Sequence, residues 1–442
     1  MTDLEERAEQ SNDAVEAVND WLAENWDPDL TVAEWWNRLG LSGWAAPGLP
    51  ENAYGKGLNR NDSVAVQNAI AAFGALGAAG GLGLLLAAPT IASHGTQDQI
   101  DLYVRDIVTG QKAWCQLFSE PGAGSDLAGL QSRAIKDGDE WIVTGQKVWT
   151  SAGQIADLGM LIARTDPDVP KHQGITYFGI DMHQKGIEIR PLVEMTGHAM
   201  FNEVFMEEAV VADSALIGGL NNGWAVANTT LMNERAGLGS GGGHAAAGAA
   251  TPGTVVNDLV KRAGDFVASG GGAPKRRGGG GGMFGASYNL LVDLAKGNGK
   301  IKDPTVRQDL MRLHTLNELG RFNNLRAKAA KAIGQDVPGL PNISKLSMSE
   351  IVRQQRDVGL RIIGPLGTLH AYKPDQQAVL NEATGNPFAA MVTGMALFAQ
   401  APPIYGGTDQ VQRNIIGERV LGLPKEPNND KTAAFRDLPK NA

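Results

Sequence analysis

The chain has 442 residues, of which 43% are hydrophobic and 20% charged, so it has the composition of a globular protein with room for two or three domains. Its formal charge of −9 gives no electrostatic reason to bind nucleic acid, whose affinity rests on neutralised phosphates. One cysteine, Cys115, excludes a disulfide framework and a cysteine-rich metal site, and reads as a small buried residue rather than a nucleophile.

The first ten residues, MTDLEERAEQ, are acidic and polar and show no secretory signal, so the default expectation is a cytoplasmic protein. Residues 1–112 read as a helical domain. Apolar residues recur at helical spacing in 14–26 and 66–77, and 97–110 is amphipathic and stops at glycine. The uncharged run 71–93 is rich in Ala and Gly and interrupted by Pro89, which predicts a tightly packed core helix and turn rather than a membrane span. Near residue 113 the pattern changes. Short alternating segments at 113–118, 132–149, 158–166, 174–182, 187–192 and 203–211, separated by turns such as KDGD at 136–139, predict a middle β domain over 113–222, of sandwich or barrel type. From 223 to 442 the pattern is helical again, with long helices over 303–333 and 344–363 that suggest a four-helix bundle. Glycine runs within 237–299 lack the strand and helix that would make a phosphate cradle, and are read as a flexible insertion or lid. The predicted class is α+β, in the order helical, β, helical.

Two stretches of the β domain carry candidate chemistry. SEPGAGSD at 119–126 is a Pro/Gly turn whose amides, with Ser125 and Asp126, can face a ligand. GQKVWTSAG at 145–153 offers the indole of Trp149 as a flat surface for an aromatic cofactor, and a hydroxyl two residues on at Ser151, which strand alternation puts on the same side. Together with FNEVF at 201–205, YGGTDQVQRNIIGERVLGLP at 405–424, WAAPGLPENAYGKGLN at 44–59, APTIASHGTQDQ at 88–99 and KLSMSE at 345–350, they resemble the acyl-CoA dehydrogenase family over about residues 30–425.

The resemblance implies the same three-domain order, FAD bound between the β domain and the C-terminal bundle, and oxidation of acyl-CoA thioesters to trans-2-enoyl-CoA in lipid β-oxidation. Electrons would pass to an electron-transfer flavoprotein. By position it implies that Phe118 and Ser119 contact the flavin pyrimidine edge, Trp149 covers the flavin, Ser151 stands near N5, and Ser125 bonds the pyrophosphate or the pantetheine arm. Thr408 and Gln410 would approach FAD near the bundle. The base would take the α-proton while the β-hydrogen leaves as hydride to flavin N5, with donors placed where enolate charge develops. In many relatives the base follows the tyrosine of the stretch IYGGT, where this chain has Gly406. In others it precedes an arginine on the first long helix of the C-terminal domain, which makes Glu234 in LMNERAG (231–237) the candidate base and Arg235 its substrate-side partner. Gly406 keeps the main-chain N–H that would help polarise the thioester carbonyl. Asp409 is a rival carboxylate expected to point elsewhere. An Arg-x-Phe-Gly segment that meets FAD in a neighbouring subunit of many relatives is not visible. The family forms homo- or hetero-oligomers, often dimers of dimers, so a second expectation stands: an FAD-poor, non-catalytic subunit of a heteromer. A flavin oxidase of related fold is a third.

Overall fold

The computed structural model describes residues 2–239, 258–268, 283–427 and 430–439. The first helices are α1 (Thr2–Asn25), α2 (Val32–Leu41), α3 (Arg60–Phe73) and α4 (Ala88–His94), the last entered through a π-helical turn at Gly83–Ala87. A short helical stretch follows, α5 (Gln97–Gln99), a second π turn, and α6 (Arg105–Val108). Thr31 caps α2 in a reciprocal arrangement with Glu34, which satisfies amides that the first turn leaves unpaired. The buried faces meet around Trp35 and Trp36, whose indole N–H groups donate to the carbonyls of Leu76 and Gly77 at 2.6 and 2.8 Å. The uncharged run thus ends α3 at Gly74, in the left-handed conformation, and restarts as α4 inside this core. No described helix is long and apolar enough to cross a membrane.

The middle domain is one eight-stranded sheet: β1 (Trp114–Leu117), β2 (Arg133–Asp137), β3 (Glu140–Ser151), β4 (Leu158–Arg164), β5 (Ile175–Asp181), β6 (Ile187–Leu192), β7 (Phe201–Ala212) and β8 (Leu216–Ile217). The order is β6-β7-β3-β2-β4-β5-β8, with β1 parallel to β4. The sheet folds over on itself. Trp141 of β3 meets Phe178 of β5 at 5.6 Å between rings, and both belong to one buried cluster with Val204 and Met206 of β7. Cys115 is fully buried there, and burial pushes its thiol up to about 12. It is therefore expected to react with a thiol reagent only after denaturation, which a colorimetric titration with and without denaturant reads directly.

The remaining helices are α7 (Gly223–Gly239), α8 (Asp265–Ala268), α9 (Met283–Gly297), α10 (Pro304–Ala332), α11 (Leu340–Ile363), α12 (Pro374–Thr384), α13 (Ala389–Phe398) and α14 (Asp409–Ile415). Leu291 and Ala295 of α9, Val306, Leu310 and Leu313 of α10, Ile351, Val358 and Ile362 of α11 and Met395 of α13 share one apolar core. The reading of 237–299 as a flexible insertion needs correction. Residues 237–239 complete α7, and α9 lies in the bundle core because Leu291 and Ala295 fall on one helical face. Residues 258–268 dock on the N-terminal domain. The N–H of Val32 donates to Lys261 at 2.8 Å, that of Ala263 to Leu30 at 2.7 Å, and Ala263 is fully buried. The glycine runs at 240–257 and 269–282 lie outside the described residues.

Candidate active site

The turn at 119–126 is built from its back. Reciprocal main-chain bonds between Glu120 and Ala123, 3.1 and 3.0 Å, close it around Pro121 and Gly122. The Glu120 carboxylate turns inward and accepts from the amides of Gln131 (2.6 Å) and Ser132 (2.9 Å) and from Lys147 Nζ (2.9 Å). Lys147 is fully buried and also donates to Phe118 O at 3.1 Å. Burial pushes Glu120 up, but the Lys147 charge and these bonds outweigh it and hold the carboxyl below the usual range. Behind the turn, Arg164 donates to the carbonyls of Ala128 (2.6 Å) and Lys171, and Lys171 Nζ donates to Asp126 at 2.8 Å. Pro121, Gly124, Ser125 and Asp126 of the turn are exposed, Asp126 while bonded to Lys171.

Strand β3 runs beside this turn, and Val148 N–H donates to Ser119 O at 2.9 Å. The β3–β7 register then shifts. Lys147 faces Val204 and Thr150 faces Asn202, so two residues of β3 bulge against one of β7. Trp149 sits in the bulge at φ 60°, a left-handed conformation that costs a bulky L-residue on the order of 1–3 kcal/mol. The residue is 60% exposed, and the Phe201 ring meets the indole nearly at right angles at 5.8 Å. Beyond the bulge the ladder resumes, with Thr150 facing Asn202 and Ser151 facing Phe201, and Thr150 is buried between the exposed Trp149 and the half-buried Ser151. Asn202 braces the bulge from inside, donating to Thr150 O at 3.0 Å and Gln154 Oε1 at 2.6 Å. Ser119 and Ser151 are half-buried and Phe118 is buried.

Glu234 lies on α7, half-buried, and the side chain of Arg235 lies outside the described residues. A chain of contacts joins α7 to the other two domains. Phe118 meets Tyr177 edge-on at 6.0 Å, and Tyr177 OH lies 3.3 Å from Thr230 Oγ1, which is 3.0 Å from Thr90 Oγ1 of α4. Next to it, His94 Nε2 is 2.7 Å from Thr229 Oγ1, and burial pushes the imidazole pKa down, which keeps the ring neutral. Glu234 follows Thr230 by four residues and so shares its helix face. Tyr177, Thr230, Glu120 and Lys147 were not singled out from the sequence. Lys147 did carry a signal, as a cation at an inward position of a strand whose residues 141 and 143 are core.

The C-terminal loop is held by α11. Gly406 and Gly407 take φ of 62° and 79°, and Gln412 Nε2 donates to Gly406 O at 3.0 Å. Thr408 caps α14 by accepting from Val411 N–H at 3.2 Å, and Gln410 is exposed. Asp409 is buried and accepts from Lys345 (2.9 Å), Ser349 (2.8 Å) and Arg353 (2.8 Å). Burial opposes its ionisation, yet those three donors hold its pKa below the usual carboxylate range, so it is a structural anion.

Models of the acyl-CoA dehydrogenase N-terminal, middle and C-terminal domains match residues 5–111, 115–209 and 278–421. The chain belongs to the acyl-CoA dehydrogenase family. Acyl-CoA dehydrogenase IpdE1 of Mycobacterium tuberculosis is 32% identical over 393 residues, 89% of this chain and 88% of that protein. Acyl-CoA dehydrogenase FadE34 of the same organism is 36% identical over 343 residues, 77% of this chain but only 39% of that longer protein. Among solved structures, the ChsE4–ChsE5 complex from Mycobacterium tuberculosis superposes with a TM-score of 0.65 at 24% identity, covering 94% of this chain and 98% of that one. The Tcur3481–Tcur3483 steroid ACAD gives 0.65 at 23% identity, covering 95% and 98%. Membership makes this acyl-CoA dehydrogenase an FAD-binding oxidoreductase, and its own residues fit the cofactor. Trp149, 60% exposed at φ 60°, offers a flat face on which an aromatic ring system can lie.

Proposed function

We propose that this acyl-CoA dehydrogenase removes the α- and β-hydrogens of an acyl-CoA thioester, with Glu234 taking the α-proton. FAD, when bound, supplies the two-electron acceptor. Phe118, Ser119, Trp149 and Ser151 would hold its ring system, and Thr408 and Gln410 would approach it from the bundle. The Gly406 N–H would polarise the thioester carbonyl, acidifying the α-carbon. Ser125 would bind the pyrophosphate or the pantetheine arm, and Arg235 would orient the substrate. The observation that supports Glu234 is the contact chain Phe118–Tyr177–Thr230, which joins its helix to the turn carrying Phe118 and Ser119.

For the substrate we favour a bulky polycyclic acyl group. The support is the fold shared with a protein described as a steroid ACAD, and the absence of a side chain at 406. An electron-transfer flavoprotein is the proposed acceptor and the cytoplasm the proposed location, in keeping with a single, buried cysteine. Anaerobic titration of the purified chain with straight-chain and polycyclic thioesters tests the reading. Bleaching of a yellow protein supports it, and preference for straight chains would remove the polycyclic part. A second reading has this chain as one subunit of a heteromer, since two structural neighbours are described as pairs of different chains. A colourless purified chain that takes up no added FAD would favour it. Trp149→Ala is expected to raise the FAD Kd of the apoprotein about 3–10-fold, from the loss of one aromatic contact, measured by quenching of flavin fluorescence.

A further inference from the structure

Residues beyond 421 lie outside the stretch matched by the family's C-terminal model, yet 430–439 return to the β domain. Phe435 N–H donates to Val169 O at 2.9 Å and Arg436 N–H to Pro167 O at 3.0 Å, while the Arg436 guanidinium pairs with Asp168. Phe435 and Leu438 are buried. The segment lands on the β4–β5 connection, where Arg164 at the end of β4 and Lys171 in the connection hold Asp126, Ala128 and Leu130, at the end of the turn and just after it. The Phe435 ring lies 3.7 Å from the guanidinium carbon of Arg164, the group that donates to Ala128, Leu130 and Lys171 carbonyls. Asp430 pairs with Lys171, the same ammonium that bonds Asp126. Lys171 thus bridges two carboxylates, one from the turn and one from the C-terminal segment. A ring stacked on Arg164 keeps water from a guanidinium whose bonds fix the main chain that follows the turn, and bonds in a drier setting are stronger.

We infer that residues 430–438 are a strap that positions the ligand-facing turn at 122–126, and so sets the affinity for the adenosine diphosphate ester, FAD or CoA thioester, that this turn contacts. The strap is a positioning element and touches no reacting atom. The inference rests on the proposed ligand role of Ser125.

Full-length Phe435→Ala, Asp430→Asn and the conservative Phe435→Trp test it. FAD titration of the apoprotein and KM for the acyl-CoA in the FAD-loaded enzyme separate the two sources of the ligand, and hydrogen exchange of the amides of 128–132 reads the segment that anchors the turn to Glu120 and Arg164. Phe435→Ala is expected to weaken one of the two affinities about 3–30-fold, with kcat within about two-fold of wild type and faster exchange at 128–132. Phe435→Trp is expected to restore the affinity, and Asp430→Asn to give a smaller effect that added salt reproduces in the wild type. Unchanged Kd, KM and exchange in Phe435→Ala would overturn the strap. So would a lowered Tm with a smaller active fraction but unaltered constants and exchange. If the wild type binds no FAD and oxidises no thioester, the dehydrogenase reading fails by itself, and unchanged exchange in Phe435→Ala then overturns the strap independently.

Discussion

Glu234→Gln is expected to lower kcat for acyl-CoA oxidation by about 10²–10⁴-fold, the range lost with a positioned general base. The yellow colour and the thioester affinity are expected to stay near wild type. Glutamine keeps the length and hydrogen-bonding capacity of the side chain but cannot take the α-proton. The comparison is made anaerobically, by the rate at which a saturating thioester bleaches the flavin. Bleaching at the wild-type rate would remove Glu234 from the mechanism. Asp409 is not an alternative waiting to be found, because its carboxylate is already committed to Lys345, Ser349 and Arg353. Asp409→Asn is therefore expected to lower Tm, since three buried or half-buried donors lose an anion, rather than to lower kcat in an intact enzyme. The two variants separate a base from a structural carboxylate by which constant they move.

The helical, β, helical order was legible because it is written in local periodicity: apolar residues at three- and four-residue spacing in α1 and α11, alternation in β6 and β7. Helix α9 was hidden by its surroundings. Glycines on both sides masked Leu291 and Ala295, whose four-residue spacing was there to be read. The bulge at Trp149 is of another kind. Patterning encodes which side chains face in, and it does not encode one extra residue in a ladder or a left-handed φ at a tryptophan. The ties that bring the site together are long-range, as with Tyr177 and Thr230, 53 residues apart in sequence. No local rule pairs a tyrosine of one domain with a threonine of another. The role of Phe435 was invisible for the same reason, since only the folded chain sets its ring on Arg164.

Lys147→Met is expected to destabilise the protein by about 3–5 kcal/mol, because it leaves the Glu120 carboxylate buried without its countercharge. With an unfolding entropy of about 2 cal/mol/K per residue, that corresponds in a chain of this size to a fall in Tm of roughly 3–5 °C, read by differential scanning calorimetry. The double variant Lys147→Met/Glu120→Leu is expected to recover much of the loss, because two apolar side chains of similar volume leave no buried charge. Recovery would identify an unpaired ion as the cause, whereas equal loss in both variants would point to the main-chain bonds that Glu120 makes to Gln131 and Ser132. The pH dependence gives a second check with a definite sign. Glu120 has a folded pKa below its unfolded one, so it contributes stability above the ordinary carboxylate range, and that contribution is lost as pH falls through the depressed value. Without Lys147 the main opposing force on Glu120 is burial, which raises its pKa, so the variant's carboxyl protonates at higher pH than in the wild type. The gap in Tm between wild type and Lys147→Met is therefore expected to narrow as pH falls from neutral toward the carboxylate range. A gap constant over that window would mean that the pair is not what holds the turn against β3, and that the amide bonds to Glu120 suffice.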